Sequence, residues 1–397
     1  MMDFACRWLW TMCLIPPALS YLVIVRALRY KLRDAATKKI PSRPLFASMT
    51  LEDAFPIQLQ LAELEFPTVF SGSVFFALFK TYGIPSISRL LTKTGQLSSS
   101  ATASKRAADT GVILTEVVLH PPNSPRAIEG IARMNFLHDR YRKSGKITDD
   151  DMLYTLSLFL LEPIRWTKRF DWREVSDVER CAMGLYWRWM ADAMDIPLDA
   201  LGSAGKWKDG LDFLEDLETW SLRYEIDTMK PADCNETVAK HTIDIALHNL
   251  PKMLHRAIFD IVSSLLDLRL RTAMKFAEPA SITVVMLDLL VDIRRMIVRH
   301  LFLPRPYFLR QRWFSDEPTI DGRYHFAQYI AHPWYIKPTW SKRIVGGAVP
   351  GDEGDKYCPH GYKIAELGPQ NLCGKGDVEM DQTRRRLASG CPFRLAR

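Results

Sequence analysis

An all-α fold is what this sequence predicts, and three observations predict it. Between residues 50 and 302 apolar residues recur at steps of three and four, the spacing of one helix face. Helix-start residues stand directly before several of these runs: Thr148 before Asp149-Asp150-Asp151, and Ser176 before DVERCAMGLYWRWM. Alternating β-branched runs are missing, with the stretch 112–118 as the nearest approach to one.

The elements follow in chain order. Residues 1–7 form a short tail, and Trp8 to Val25 reads WLWTMCLIPPALSYLVIV, 18 residues without a charge between Arg7 and Arg26. At about 1.5 Å per residue a helix of that length spans roughly 27 Å, close to the apolar core of a thin bilayer. Trp8, Trp10 and Tyr21 suit its interfacial ends, and a membrane helix tolerates the kink of Pro16-Pro17. A cleaved signal peptide would carry its positive charge ahead of the apolar run. Here Arg26, Arg29, Lys31, Arg33, Lys38 and Lys39 follow it. The expectation is therefore an uncleaved single-pass anchor, with the tail luminal and the remainder cytosolic by the positive-inside rule. In a eukaryotic cell the endoplasmic reticulum is the default membrane for such an anchor.

Residues 26–56 read as a basic juxtamembrane segment and linker, and 57–397 as one helical domain. Helices are expected at 50–64, 70–81, 105–118, 126–143, 148–169, 174–194, 209–227, 236–249, 252–275 and 280–302. Pro163 is expected to kink or break the long 148–169 element. The final stretch 303–397 is rich in Pro, Gly and aromatics (LPRPYFLR, AHPWYIKPTW, GGAVPGDEG) and is expected to be mostly irregular, wrapped on the helical body.

Bulk composition narrows the function classes. Hydrophobic residues make up 47% of the 397 and charged residues 25%, the proportions of an ordinary globular chain. The net charge of +7 is diffuse and no nucleic-acid-binding motif accompanies it, so a nucleic-acid partner is not expected. The seven cysteines are odd in number and include no CxxC pair, which indicates free thiols in a reducing compartment. Cys358, Cys373 and Cys391 with His360 do not match zinc-ligand spacing.

No HExxH, GxSxG, GxxxxGK[ST] or GxGxxG motif occurs. The acidic run 149–151 could suggest magnesium-diphosphate chemistry, but it sits at a helix start, where acids complement the dipole. Of the nine histidines, His138 is the most informative. In RMNFLHDRYRKSGKI (133–147) it shares an apolar face with Ile131, Met134, Tyr141 and Gly145 if the stretch is helical. An inward-facing histidine is more often satisfied within the core than a ligand, yet a neutral imidazole on a helix can also hold haem iron from one side. Arg133, Arg140 and Arg142 stand beside it, and Arg106 lies in the preceding helical segment. Arginines there could pair with carboxylates or simply form a solvated face.

Several stretches together carry a resemblance. TYGIPSISRLLTKTGQ (81–96), SKRAADT (104–110), RMNFLHDRYRKSGKI, DMLYTLSLFLLEPIRW (151–166), LPKMLH (250–255), LRLRTAM (268–274), LPRPYFLR (303–310) and AVPGDEGDKY (348–357) resemble the fungal ER-bound oxygenases typified by mpaB of mycophenolic acid biosynthesis. The likeness runs from the anchor to about residue 393. More distantly, residues 90–165 look like the bacterial rubber oxygenases, or latex-clearing proteins.

The resemblance implies a globin-like helical core with haem b, dioxygen as co-substrate, and an apolar prenyl, terpenoid or polyketide intermediate as substrate. It implies that His138 is the iron ligand, with Arg133 and Arg142 as candidate partners of the haem propionates. Arg106 and Thr110 match the distal arginine and the threonine four residues later, and Thr155 matches a polar pocket position. Two positions depart from the rubber-cleaving pattern. Asp109 stands where a lysine caps the sixth iron position, and Asn135 stands where an arginine is found. Asp109 therefore leaves open a second reading, the same fold running a dehydration, cyclisation or rearrangement. A third is a non-catalytic membrane protein that binds lipid or organises a pathway.

Overall fold

The computed structural model describes residues 16–95, 103–328, 332–339 and 349–389. The tail 1–7 and the first half of the expected anchor, 8–15, lie outside the described residues. Its remainder lies in a helical segment, 16–28, whose Leu19, Val23 and Ile24 side chains are exposed. Among the described residues no single helix is long and apolar enough to cross a membrane.

Helices then follow in sequence: α1 (Lys31–Lys39), α2 (Leu51–Gln60), α3 (Pro67–Thr81), α4 (Pro85–Thr94), α5 (Ala103–Val118), α6 (Pro125–Lys143) and α7 (Asp149–Phe170). They continue as α8 (Asp177–Ala193), α9 (Gly210–Thr228), α10 (Asp233–Leu247), α11 (Lys252–Leu265), α12 (Leu268–Ala273), α13 (Ser281–Leu301) and α14 (Asp377–Ala388). The described residues form no strand, only the isolated bridges Phe314–Phe326 and Tyr324–Tyr362. The fold is all-α, and the β-branched stretch 112–118 is the last turns of α5.

The caps act where the sequence places them. Thr148 Oγ1 accepts from the Asp151 amide at 3.0 Å and starts α7. Ser176 and Glu179 form a reciprocal capping box that starts α8. Pro163 does not break α7: the helix runs unbroken through it, and Thr167 Oγ1 donates to the Pro163 carbonyl at 2.6 Å. Buried Leu153, Leu156, Leu160 and Leu161 before the proline and buried Phe170 after it hold the run in place. The acids at its start serve the cap and its neighbours. Asp151 is buried and accepts from Ser86 and Tyr224, and Asp149 pairs with Arg142.

The core forms where α7 packs on α3 and where α8 packs on α2 and α9. The last contact is close enough to require two glycines. A Cβ on Gly184 would lie 1.9 Å from the Gly210 carbonyl oxygen, and one on Gly210 would lie 2.1 Å from the Cys181 carbonyl oxygen. A second, smaller core joins α5 and α6 to the C-terminal stretch: Ala108, Val112, Ile113 and Leu137 meet Phe326, Tyr335, Tyr362 and Leu367.

Three expectations are corrected, and that of a mostly irregular C-terminal stretch is borne out apart from one helix. The 252–275 element is two helices, because Asp267 accepts from the Leu270 amide at 2.9 Å and caps a new start. The C-terminal stretch is irregular until α14, whose acids fall in the first turn and arginines in the last, complementing the helix dipole. Helices α1 and α4 lie where none was expected. Gly145 is not on the His138 face, since α6 ends at Lys143 and Gly145 takes the left-handed turn after it, φ +66.

The Gly184–Gly210 contact gives a direct test. Gly184→Ala should cost on the order of 3 kcal/mol or more, because two backbones rather than a flexible side chain must separate. A thermal melt that matches the wild type would contradict the packing described.

Candidate active site

Helix α6 begins at Ser124, whose side chain accepts from the Ala127 amide, with Pro125 in the first turn. One face of it carries Ile131, Met134, His138 and Tyr141. Ile131 is fully buried, and Met134 packs against both cores. His138 Nδ1 is buried without a hydrogen-bond partner. Burial, then the charges of Arg106 and Arg142, push the His138 pKa down to about 4. The ring is therefore neutral at physiological pH, the form in which imidazole binds metals.

Arg106, on α5, is the larger of the two cationic influences on that ring. Burial lowers its own pKa, against the opposing effect of Asp109, Tyr82 and Tyr141. The structure thus brings Arg106, His138 and Arg142 into one electrostatic neighbourhood. Tyr82 and Tyr141 belong to the same surroundings, and sequence reasoning had not singled out either as functional.

Beside His138 opens a cleft of about 300 Å³ between α6 and α14, with Asn135, Arg142, Met152, Met194, Gln382 and Arg386 in its walls. That volume is at the lower end for small-ligand sites. Arg142 donates to Asp149 and to the carbonyls of Met194 and Asp195. Arg386 donates to the Asp192 and Ala193 carbonyls and pairs with Asp195 at 2.8 Å. The α14 contribution went unforeseen because the C-terminal stretch reads as irregular. The signal was present in DVEMDQTRRRLA, acids first and arginines last.

The other expected site residues are placed differently. Arg133 is fully buried, with Nε donating to the Leu367 carbonyl at 2.8 Å, Nη1 to Lys375 at 2.7 Å and Nη2 to Leu372 at 2.9 Å. It clamps the C-terminal stretch and is not among the residues that line the cleft. Asn135 itself donates to the Ala193 carbonyl at 3.0 Å.

Asp109 is buried and held by Lys105 Nζ at 2.8 Å and Tyr335 Oη at 2.6 Å. Both oxygens are matched, which suits an anchor. Thr110 donates its hydroxyl proton to the Arg106 carbonyl at 2.8 Å, and Thr155 donates to the Asp151 carbonyl at 2.8 Å. Each hydroxyl oxygen can still accept. Thr155 is the one partly exposed position in the buried run 151–163. Among the described residues no cluster of three or more His, Cys, Asp or Glu forms a metal site.

Fold and site together define a helical protein with a neutral, half-buried histidine, its Nδ1 buried, set among arginines, a site suited to a single-histidine ligand role. No protein-family model matches the chain. It is 41% identical over 401 residues to the ER-bound oxygenase mpaB' of Penicillium brevicompactum, covering 97% of this chain and 95% of that one. It is 38% identical to ER-bound oxygenase mpaB of the same organism, covering 89% of this chain and 87% of the relative. With ER-bound oxygenase mpaB of Penicillium roqueforti (strain FM164) the identity is 44%, over 66% of this chain and 88% of the relative. The chain belongs to the mpaB oxygenase family.

The depressed pKa of His138 has a consequence for stability in the chain with nothing bound to the ring. The unfolded histidine, near 6.5, takes a proton before the folded one, near 4. Stability is therefore full above pH 6.5 and falls as pH drops towards 4, by about 3 kcal/mol in all. Denaturant melts across that window should show the loss, and His138→Phe should remove this part of the slope. An unchanged slope in the variant would contradict the burial.

Proposed function

We propose that this protein is a haem-dependent oxygenase of the endoplasmic reticulum membrane. In this reading it cleaves or oxygenates a carbon–carbon double bond in an apolar prenyl, terpenoid or polyketide intermediate. The single observation that carries the reading is His138: a buried imidazole nitrogen with no partner, on a ring kept neutral by burial and by two arginines. Membership of a family whose relatives are named ER-bound oxygenases supports the same direction. The helical body is then globin-like in kind, and residues 8–25 are the single-pass anchor that leaves the domain in the cytosol.

Haem b, when bound, supplies the activation of dioxygen that no side chain can provide. His138 would hold its iron, and Arg142 and Arg386 line the cleft beside it, where each is already bonded to neighbouring carbonyls and a carboxylate. Arg106 brings N–H donors and a positive charge to a half-buried position near His138. Its part is to stabilise negative charge as it develops on oxygen. Asp109 and Arg133 hold α5 and α6 to the C-terminal stretch and so set the spacing of Arg106 and His138. The overall cleavage balances without an external reductant: one C=C and one O–O bond break, and two C=O bonds form. An apolar substrate partitions into the bilayer, so an anchored enzyme meets it at raised local concentration.

Turnover of a farnesylated phenol under ¹⁸O₂, with products reduced at once to alcohols, tests this reading. One labelled oxygen is expected in each fragment. Products that form without dioxygen, or that carry only solvent oxygen, would move the assignment to a non-oxidative reaction. Arg106→Gln is expected to lower kcat by roughly 10²–10³-fold, the usual cost of a lost oxyanion donor. An unaffected kcat would remove Arg106 from the mechanism.

A further inference from the structure

Helix α13 is amphipathic with its apolar side outward. None of its residues is buried, and Ile282, Val285, Leu289, Leu290, Ile293 and Met296 are 47–66% exposed. These positions cover roughly 140° of the helix surface. The side turned to the body is held largely by arginines: Arg294 donates to the Phe170 carbonyl at 2.8 Å, and Arg295 to the Asp171 carbonyl at 3.0 Å. The apolar surface continues past the helix end, where Phe302, Tyr307 and Phe308 are 57%, 67% and 74% exposed. Neighbouring α11 adds Met253, 85% exposed, and Ile261. A continuous outward apolar face of this kind marks a docking surface rather than ordinary scatter.

The occupant is indicated by what lies beside it. Tyr21 Oη donates to the Leu301 carbonyl at 2.7 Å, and Arg29 Nη1 donates to the Leu303 carbonyl at 3.4 Å. The end of α13 therefore runs alongside the apolar N-terminal helical segment, whose own Leu19, Val23 and Ile24 point outward. The two surfaces are continuous. Arg299 and Arg305 border the apolar face, and Tyr307 and Phe308 are aromatic at its edge, a composition matched to lipid headgroups and the acyl boundary.

We infer that α13 and the 302–309 turn lie in the cytosolic face of the bilayer as a second, in-plane attachment. It is separate from the spanning anchor, although it rests on the membrane part of the reading above. Two attachments fix the orientation of the domain relative to the membrane, which one flexible anchor cannot do.

The test is photolabelling of the full-length chain in vesicles that contain a phosphatidylcholine with a diazirine in its acyl chain. Lipid adducts are expected on the tryptic peptides 276–294 and 300–310 as well as on the N-terminal segment. Leu289→Glu with Ile293→Glu should abolish the 276–294 adducts while leaving the circular dichroism spectrum and melting temperature unchanged, since both side chains are exposed. Adducts confined to the N-terminal segment would overturn the inference and leave the anchor intact. Adducts on neither segment would overturn both. Chemical cross-links joining α13 of two copies, without lipid adducts there, would overturn it in favour of a dimer face. None of these readouts depends on haem or turnover.

Discussion

Arg133 is a guanidinium with no exposed surface, and burying such a charge costs several kcal/mol unless its donors are matched. Three carbonyls of the C-terminal stretch match them. That requirement fixes where residues 367–375 lie, and it fixes the rotation of α6 about its axis. His138 is five residues further along the same helix, so its inward orientation follows from the clamp. Two buried carboxylates on α5 do the same work from the other side. Asp109 is held by Lys105 and Tyr335, while Glu116 is held by Arg126 and Tyr362. The irregular C-terminal stretch is thus a strap across α5 and α6, and the distance between Arg106 and His138 is set by it. A half-matched network would be worse than none, and this one is matched at every carboxylate.

Much of the body was legible because local and tertiary signals agree. The run MLYTLSLFLL behind Thr148 and the Ser176–Glu179 box each state a helix in a few residues, and both lie in the core. Pro163 misled because its local penalty is real but small beside the packing on either side of it. The break at Asp267 was hidden by uninterrupted apolar spacing across it, and only the side-chain cap reveals the new start. Helix α14 is short and polar, and its place is decided by partners far away in sequence, such as Glu129 for Arg384.

The site was legible in part. His138 was found by helical spacing, and its isolation and low pKa accord with the ligand role that the resemblance implied. The same spacing could not assign the arginines. Arg133 and Arg142 lie in one short stretch of α6, yet one is spent on the C-terminal strap and the other borders the cleft. Asp109 illustrates a further limit. A buried acid near a proposed site reads as chemistry until Tyr335, 226 residues away, is seen to occupy it. The outward face of α13 was not legible either, because amphipathic spacing does not say which side the body takes.

These features combine into one account: a strap that positions a neutral histidine opposite an arginine, on a helical body with an outward apolar surface beside its N-terminal segment. Its central claim is that His138 holds haem iron. The most direct measurement is the absorption spectrum of the full-length protein purified in detergent after expression with haem supply. The account expects a Soret band in the wild type and its loss in His138→Ala, with the helical circular dichroism retained. A Soret band that persists in the variant, or a colourless wild-type protein that still turns over substrate, would contradict it.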